Sequence, residues 1–229
     1  MDDPNLAAVE LVAAALGPLC AELVLIGGCS VGLLITDAAR PPVRQTIDVD
    51  LVAQVASIGD YYAGLHPKLK ERGFAECADA DHICRWAKGK LIVDVIPSKD
   101  IFGHSTNIWY EQVIHQANTV TLSTKQEIRV ISAPLFIATK LESFGSRGKG
   151  DYLHHDMEDI INVIDGRVEL VAEVKASDQL VRGFIEDEVE SLLADPMFLE
   201  QLPGHFQADL ASQARVQIVV QRLRSVAGI

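Results

Sequence analysis

The stretch Arg44-Gln45-Thr46-Ile47-Asp48-Val49-Asp50-Leu51 decides the fold of this chain, because it places two acids two residues apart in an apolar strand. Residues two apart in a β-strand point to the same face, so Asp48 and Asp50 are expected to project together. The apolar residues that alternate with them belong on the opposite, buried face. An isolated pair of this kind is also typical of a solvated edge strand, so its interpretation depends on what surrounds it.

A second acid-bearing strand follows in Leu91-Ile92-Val93-Asp94-Val95-Ile96. An unpaired acid inside such an apolar strand is costly, so a cation or a basic partner is the natural compensation for Asp94. If this strand lies beside the first, the carboxylates of Asp48, Asp50 and Asp94 meet at one place. Three anions so close repel one another unless a divalent cation lies between them, and oxygen ligands suit Mg²⁺ or Mn²⁺.

A glycine turn precedes both strands, in Leu25-Ile26-Gly27-Gly28-Cys29-Ser30. The pattern predicts a short strand that ends at the glycine pair and is followed by a helix. Backbone N–H groups at such a turn, together with the Ser30 hydroxyl, suit a phosphate. Glycine pairs are common, and a helix N-cap is the simpler role for Ser30. Beside the acids, however, the turn at Gly27, Gly28 and Ser30 indicates metal-assisted chemistry on a nucleotide.

The order of predicted elements indicates an α/β protein with a small mixed sheet followed by a helical half. Predicted strands cover 22–26, 46–53, 74–76, 83–87, 91–96, 119–122 and 127–131. Predicted helices cover 5–16, 29–36, 60–72, 107–116, 133–143, 152–164, 169–176, 179–194 and 208–226. Strand patterns stop at about residue 131, so we expect an α/β domain over 1–131 and a helical domain over 132–229.

Composition excludes several classes of function. The net charge of −12 disfavours tight non-specific binding to nucleic acid. An aromatic content of 6% argues against a stacking platform for single strands. The four cysteines form no CxxC pair and are expected to be reduced thiols. The chain has no leader pattern and no apolar run of about 18 residues, so we expect a cytoplasmic protein without a membrane span.

The motif order resembles that of the nucleotidyltransferase superfamily and, more narrowly, of the AbiEii/AbiGii-type toxin nucleotidyltransferases. In that family a glycine pair is followed by an Arg-x-Thr-x-Asp-x-Asp strand and later by a helix with lysine, then arginine and acids. The chain supplies these residues over about 22–165. They are Arg44, Thr46, Asp48, Asp50, Lys140, Arg147, Lys149, Asp156 and Asp159.

The resemblance implies transfer of a nucleoside monophosphate from an NTP to a hydroxyl group. Asp48, Asp50 and Asp94 would be catalytic and would bind two metals about 3.5–4 Å apart, and Asp94 would also accept a proton. The residues expected to bind the nucleotide are Gly27, Gly28, Ser30, Arg44, Thr46, Lys140, Arg147 and Lys149.

The resemblance also implies an acceptor, either an RNA 3′ end or a protein side chain. Family members are often paired with a small antitoxin protein, so a cognate antitoxin is an expected kind of partner. Two alternatives stay open from the sequence. One is transfer to a small molecule, as in antibiotic-modifying nucleotidyltransferases. The other is a non-catalytic binding module, against which the three intact acids argue.

The basic cluster in the helical half has two interpretations. Lys140 is either an ordinary solvated lysine or a phosphate contact, and the resemblance favours the second. We expect Lys140 and a mobile, glycine-rich loop with Arg147 and Lys149 to face the acid cluster. The run His154-His155-Asp156 does not have the spacing of a zinc motif. Instead, Asp156 and Asp159 are expected to face Lys140 or Arg147.

Overall fold

The computed structural model describes residues 3–37, 43–78, 83–103, 106–148 and 150–229. The strands are β1 (Leu23–Leu25), β2 (Val49–Ala53), β3 (Ala75–Glu76), β4 (Arg85–Lys88), β5 (Leu91–Pro97), β6 (Asn118–Thr121) and β7 (Glu127–Val130). Within these residues they form one seven-stranded mixed sheet of order β3-β4-β5-β2-β1-β7-β6. The predicted fold class, a mixed sheet followed by a helical half, is confirmed.

The helices are α1 (Leu6–Leu16), α2 (Val31–Leu34), α3 (Ile58–Asp60), α4 (His66–Glu71), α5 (Tyr110–His115), α6 (Ala133–Ser143), α7 (His155–Gly166), α8 (Leu170–Ala176), α9 (Gln179–Ala194), α10 (Pro196–Gln201) and α11 (Leu210–Ala227). A π-helical turn (Tyr61–Leu65) joins α3 to α4, and another (Phe144–Gly148) extends α6. Short 3₁₀ turns cover Gly17–Glu22, Gly28–Ser30 and Leu202–His205. None of the helices in the described ranges is long and apolar enough to cross a membrane.

Strand pairing brings β2 and β5 side by side at the centre of the sheet. They run parallel, whereas β4 and β5 form an antiparallel hairpin through the predicted turn at Gly89. Two parallel strands cannot be joined by a tight turn, and the chain between β2 and β5 makes the required crossover. Helix α1 covers one face of this region, with Val9 and Val12 lining the same small apolar space as Val49 and Leu51.

The structure corrects the bounds of several predicted elements. The strand predicted over 46–53 begins at Val49, and Ile47, which was expected on the buried face, is 88% exposed. The helix predicted over 29–36 is reduced to α2, preceded by a 3₁₀ turn. Helix α10 was not predicted, because it is a short segment that begins at a proline.

The chain divides into two compact units. Of the described residues, those from 3 to 32 form the sheet unit together with those of Arg44–Ser132, and those of Leu33–Val43 cluster with those of Ala133–Ile229 in the helical unit. Within the helical unit, the backbone N–H groups of Thr36 and Asp37 both donate to the carbonyl of Gly166. The domains predicted over 1–131 and 132–229 stay a prediction, since the segment between α2 and β2 crosses from one unit to the other.

Candidate active site

The sheet register places Asp50 and Asp94 next to each other. Asp50 on β2 is the direct neighbour of Asp94 on the parallel strand β5. Because Val49 and Leu51 face α1, Asp50 lies on the opposite face of the sheet, and its neighbour Asp94 shares that face. Asp94 is only 4% exposed, so its charge lies almost wholly out of water.

Asp48 reaches the same place although it lies just before β2. The Nη2 atom of Arg85 donates to Oδ2 of Asp48 at 2.5 Å and to Oδ2 of Asp94 at 2.7 Å. These two carboxylate oxygens are therefore no farther apart than the sum of the two distances. The structure brings the three acids together as the sequence predicted, while their catalytic and metal-binding roles stay predictions.

Arg85 contacts two of the acids and was missed by the sequence analysis. It lies on β4 directly opposite Asp94, and its Nε atom also donates to Oδ1 of Asp94 at 2.8 Å. The hydrogen bonds to Asp94 raise the pKa of Arg85 above its ordinary value, although burial acts in the other direction. The signal was present in the predicted hairpin, since counting back from the turn at Gly89 pairs Arg85 with Asp94.

Gly27 allows the glycine turn to approach Asp50. Its φ angle is +66°, a region that residues with a side chain rarely adopt. A Cβ atom at this position would lie 2.0 Å from Oδ2 of Asp50, so no side chain fits there. The N–H of Ile26 donates to the carbonyl of Asp50 at 2.9 Å and fixes the turn beside the acid. The structure thus places the glycine turn and the acid cluster at the same spot.

Ser30 is buried, and its hydroxyl donates to the carbonyl of Gly27 at 2.8 Å. This hydrogen bond closes the turn, and Gly28 is buried beside it. Ser30 therefore has a structural role in the turn, and its contact with phosphate stays a prediction. Since α2 contains only four residues, its N-terminus contributes little to anion binding.

The segment before β2 is held by Asn5, a buried residue that sequence analysis did not identify. The Nδ2 atom of Asn5 donates to the carbonyl of Arg44, and the N–H of Thr46 donates to Oδ1 of Asn5, both at 2.9 Å. The Thr46 hydroxyl donates to the carbonyl of Asp48 at 3.2 Å. These contacts position the backbone at Asp48, and nucleotide binding by Arg44 and Thr46 stays a prediction.

Cys29 contacts this segment through a buried thiol. Its Sγ atom lies 2.9 Å from the Thr46 hydroxyl. Burial raises the pKa of the Cys29 thiol to about 12, so the thiol stays protonated at neutral pH. Covalent cysteine chemistry is therefore not supported at this site.

In the helical unit, Lys140 lies between two carboxylates. Its Nζ atom on α6 is 2.9 Å from Oδ1 of Asp156 and 2.7 Å from Oδ2 of Asp159, both on α7. Lys140 is 7% exposed, so the interpretation as a solvated lysine is wrong. Burial alone would lower the pKa of Lys140, but the two carboxylates outweigh it and the pKa is raised.

Arg147 completes this cluster. Its Nε and Nη2 atoms donate to the two oxygens of Asp156 at 2.7 and 2.8 Å. The prediction that Asp156 and Asp159 face Lys140 or Arg147 is thus confirmed. Arg147 lies in the π-helical turn that extends α6, so its placement in a mobile loop is wrong. Lys149 lies outside the described residues, and the expectation that this cluster faces the acids stays a prediction.

One compact group of potential metal ligands occurs in the part of the chain that the structure describes. It consists of His154, His155 and Asp156, whose ligand atoms lie within 4.8 Å of one another. Both oxygens of Asp156 already accept from cations, and Nδ1 of His154 accepts from the N–H of Asp156. A metal ion there would meet two positive charges at close range, so this group is unsuited to one.

The acid cluster suits a divalent cation better. Asp48, Asp50 and Asp94 are hard oxygen donors, and the cation that contacts two of them, Arg85, has a partly exposed side chain. Their ligand atoms do not form a group as compact as that around Asp156. The donor set fits Mg²⁺ or Mn²⁺, provided that the carboxylates close around the ion.

Comparison with solved structures identifies the fold. The chain is similar to an antigenic nucleotidyltransferase-like protein from Paracoccidioides brasiliensis, with 18% identity over 80% of this chain and 88% of that chain and a TM-score of 0.50. The chain has a nucleotidyltransferase-like fold. The antibiotic-resistance factor ANT(2'')-Ia is 15% identical over 84% of this chain and 97% of its own, with a TM-score of 0.49. No family model matches the chain, and no curated protein matches its sequence significantly.

Proposed function

We propose that this protein is a nucleotidyltransferase that moves a nucleoside monophosphate from an NTP to a hydroxyl group. The observation that carries the proposal is the cross-strand pair Asp50 and Asp94, joined to Asp48 through Arg85, beside a turn where only glycine fits. These three acids lie together, and Asp94, the buried one, is destabilising unless a cation compensates its charge. Placed beside a glycine turn in a nucleotidyltransferase-like fold, they suit the binding of metal and triphosphate.

Asp48, Asp50 and Asp94 would hold Mg²⁺ or Mn²⁺. Bound there, the metal would offset the negative charge of the phosphates and acidify the acceptor hydroxyl. The turn at Gly27 lets the Asp50 carboxylate lie against the backbone, since no Cβ atom occupies that space. The Arg44 to Asp48 segment, fixed by Asn5, holds the first acid in place.

The reaction proposed here is a displacement at the α-phosphorus of the NTP. The acceptor oxygen forms a bond to this phosphorus, the bond to the β-phosphate oxygen breaks, and pyrophosphate leaves. The proton of the acceptor hydroxyl passes to Asp94 as general base. Asp94 is suited to this role by its position beside Asp50 and the glycine turn.

We further propose that the acceptor is an RNA 3′ end or a protein side chain, and that the protein is the toxin of a toxin–antitoxin pair. This part rests on the Arg-x-Thr-x-Asp-x-Asp strand and the later lysine, arginine and acids that resemble the AbiEii/AbiGii type. The net charge of −12 favours a small or local contact over an extended RNA surface. A small-molecule acceptor is the alternative outcome of the test below.

The proposal is tested by incubating the protein with each α-labelled NTP, Mg²⁺ and, in separate reactions, total RNA, a protein lysate or aminoglycosides. Label is expected on RNA or protein, and its loss is expected with EDTA and with Asp50→Asn. Asp60→Asn is the matched control, because Asp60 is an exposed acid of the same unit. Label on the small molecule alone would overturn the macromolecular acceptor. A folded protein that labels no acceptor would overturn the enzymatic function.

A further inference from the structure

We infer that Arg85 is an internal cation that competes with the divalent metal for Asp48 and Asp94, so that metal binding requires its displacement. This inference rests on the proposed function, since it assigns a role to Arg85 at the same acids. It adds a positioning residue that the resemblance does not supply, because Arg85 lies outside the matched motifs. The inference is based on three hydrogen bonds that Arg85 donates, on the strand register, and on the difference in burial between Arg85 and Asp94.

The guanidinium of Arg85 occupies the oxygens that a metal would use. It binds Asp94 in a bidentate manner, because Nε donates to Oδ1 and Nη2 donates to Oδ2. The same Nη2 atom reaches Oδ2 of Asp48. Such charge-assisted, bidentate pairs are among the stronger hydrogen bonds in proteins. In this arrangement every oxygen of Asp94 and one of Asp48 already contacts a positive charge.

A metal ion and the guanidinium are poorly compatible at these oxygens. Each carboxylate oxygen has a second lone pair, but a divalent ion on it would lie a few ångströms from the guanidinium. The Asp94 side chain is only 5% exposed, so solvent screens this repulsion weakly. We therefore expect exchange of one cation for the other instead of simultaneous binding.

The position of Arg85 makes such an exchange feasible. Its side chain is 30% exposed, whereas Asp94 is buried beneath it. The backbone of Arg85 is held in β4 by pairing with β5, so the long side chain can swing outward without disturbing the strand. The acids stay in place while their counterion changes. In the absence of metal, Arg85 keeps the three carboxylates from repelling one another.

The test measures binding of Mn²⁺ directly, by electron paramagnetic resonance of the free ion, on the full chain. Arg85→Gln is expected to bind Mn²⁺ about tenfold more tightly than the wild type, because a charge-assisted bidentate contact no longer has to be broken. Lys88→Gln is the matched control. Lys88 lies on the same strand, is exposed and donates to the carbonyl of Arg72, so its loss should leave Mn²⁺ affinity nearly unchanged.

A second measurement, of the melting temperature, distinguishes competition with the metal from a purely structural role of Arg85. In EDTA, Arg85→Gln should melt at a lower temperature than the wild type, and millimolar Mg²⁺ should raise its melting temperature more than that of the wild type. A structural arginine would not be replaced by Mg²⁺. Arg85→Lys keeps the charge but loses the fork geometry, so it should fold and show an intermediate Mn²⁺ affinity.

The outcomes separate this inference from the proposed function. Equal Mn²⁺ affinity in the wild type, Arg85→Gln and Arg85→Lys, with binding abolished by Asp50→Asn, overturns the competition and leaves the metal site intact. Absence of Mn²⁺ binding to both the wild type and Arg85→Gln overturns the metal site and with it the competition. If Arg85→Gln does not fold even with Mg²⁺, the Mn²⁺ affinity of Arg85→Lys decides between the two.

Discussion

Substitution of Lys140 by methionine is expected to destabilise the protein strongly, although lysines are usually tolerant positions. Methionine preserves the length and apolar character of the stem and removes the ammonium group. That ammonium lies 2.9 Å from Asp156 and 2.7 Å from Asp159, and both carboxylates are buried. The substitution therefore takes a positive charge away from two anions that solvent cannot reach.

The magnitude follows from the burial of the cluster. Breaking a buried ion pair by removal of one partner costs about 3–5 kcal/mol, because the remaining charge is left uncompensated. Arg147 still binds both oxygens of Asp156, so the larger loss falls on Asp159. We expect a loss near the lower end, about 3 kcal/mol in the free energy of unfolding.

The assay is urea unfolding at pH 7 followed by far-ultraviolet circular dichroism. Circular dichroism is preferred because Trp86 and Trp109, the two tryptophans, both lie in the sheet unit, whereas Lys140 lies in the helical unit. With a urea m-value of about 2–3 kcal/mol/M, the midpoint should fall by about 1–1.5 M. The exposed residue Lys175 on α8 gives the control Lys175→Met, whose effect should stay within about 0.5 kcal/mol.

A companion variant identifies the cause. Combining Lys140→Met with Asp159→Asn removes the stranded charge, so it should recover about 1 kcal/mol or more relative to the single variant. A loss below about 1 kcal/mol in Lys140→Met would refute the reasoning, since it would mean that the cluster is effectively solvated. It would also make Lys140 available as a phosphate contact.

Three further predictions follow from the sites. Gly27→Ala should lower the free energy of unfolding in urea more than Gly89→Ala does. Both glycines have a positive φ angle, which alone costs about 1–3 kcal/mol for alanine, but of the two only Gly27 lies against a side chain, that of Asp50. Equal losses in the two variants would contradict the close approach of Gly27 to Asp50. Asp94→Asn should reduce nucleotide transfer by about 10²–10⁴-fold in the labelling assay, because an amide cannot accept the proton, and retained activity would exclude Asp94 as base. Asp156 is buried, which alone would raise its pKa, but Arg147 and Lys140 hold that pKa well below 3.8. The ionised Asp156 side chain therefore stabilises the protein above about pH 4, and this stabilisation is lost as the pH falls through the acid range. Asp156→Asn should be less stable than the wild type at pH 7, and its free energy of unfolding should fall less on acidification to pH 3. Parallel pH profiles of the two proteins in urea unfolding would contradict this assignment.

The acid cluster was predictable because its signals are local. An acid that interrupts an apolar strand, as Asp94 does, points to a compensating cation whatever the rest of the fold. Two such segments in an α/β pattern need only to be neighbours for their acids to meet. In the structure, the register of β2 and β5 places Asp50 directly beside Asp94.

The environments of Arg85 and Lys140 were not predictable in the same way. Arg85 is an ordinary strand residue until the hairpin register sets it opposite Asp94. Lys140 lies on a helix whose pattern permits an exposed lysine, and only the packing of α6 on α7 buries its ammonium group. The strand start was misplaced for a similar reason, since the N–H of Thr46 donates to Oδ1 of Asn5 outside the strand ladder, and Ile47 lies in solvent.

The acid cluster of the sheet unit and the ion-pair cluster of the helical unit differ in the cations that contact their acids. In the helical unit, Lys140 and Arg147 face Asp156 and Asp159, so two cations meet two anions and the group needs no ligand. In the sheet unit, Arg85 contacts Asp48 and Asp94, and Asp50 lies beside Asp94 on the neighbouring strand.

The exposure of Lys140 differs from that of Arg85, although Arg147, at 57%, is the most exposed of the three cations. Asp156 and the side chain of Lys140 are closed off from solvent, which suits a permanent structural contact. The side chain of Arg85 is about as accessible as that of Asp48 and contacts the buried Asp94. A cluster of acids held by a partly exposed arginine is suited to receive a divalent ion, whereas acids held by a buried lysine are suited to hold helices together. The acids of the sheet are therefore the better candidate for chemistry, and the basic helix pair the better candidate for stability.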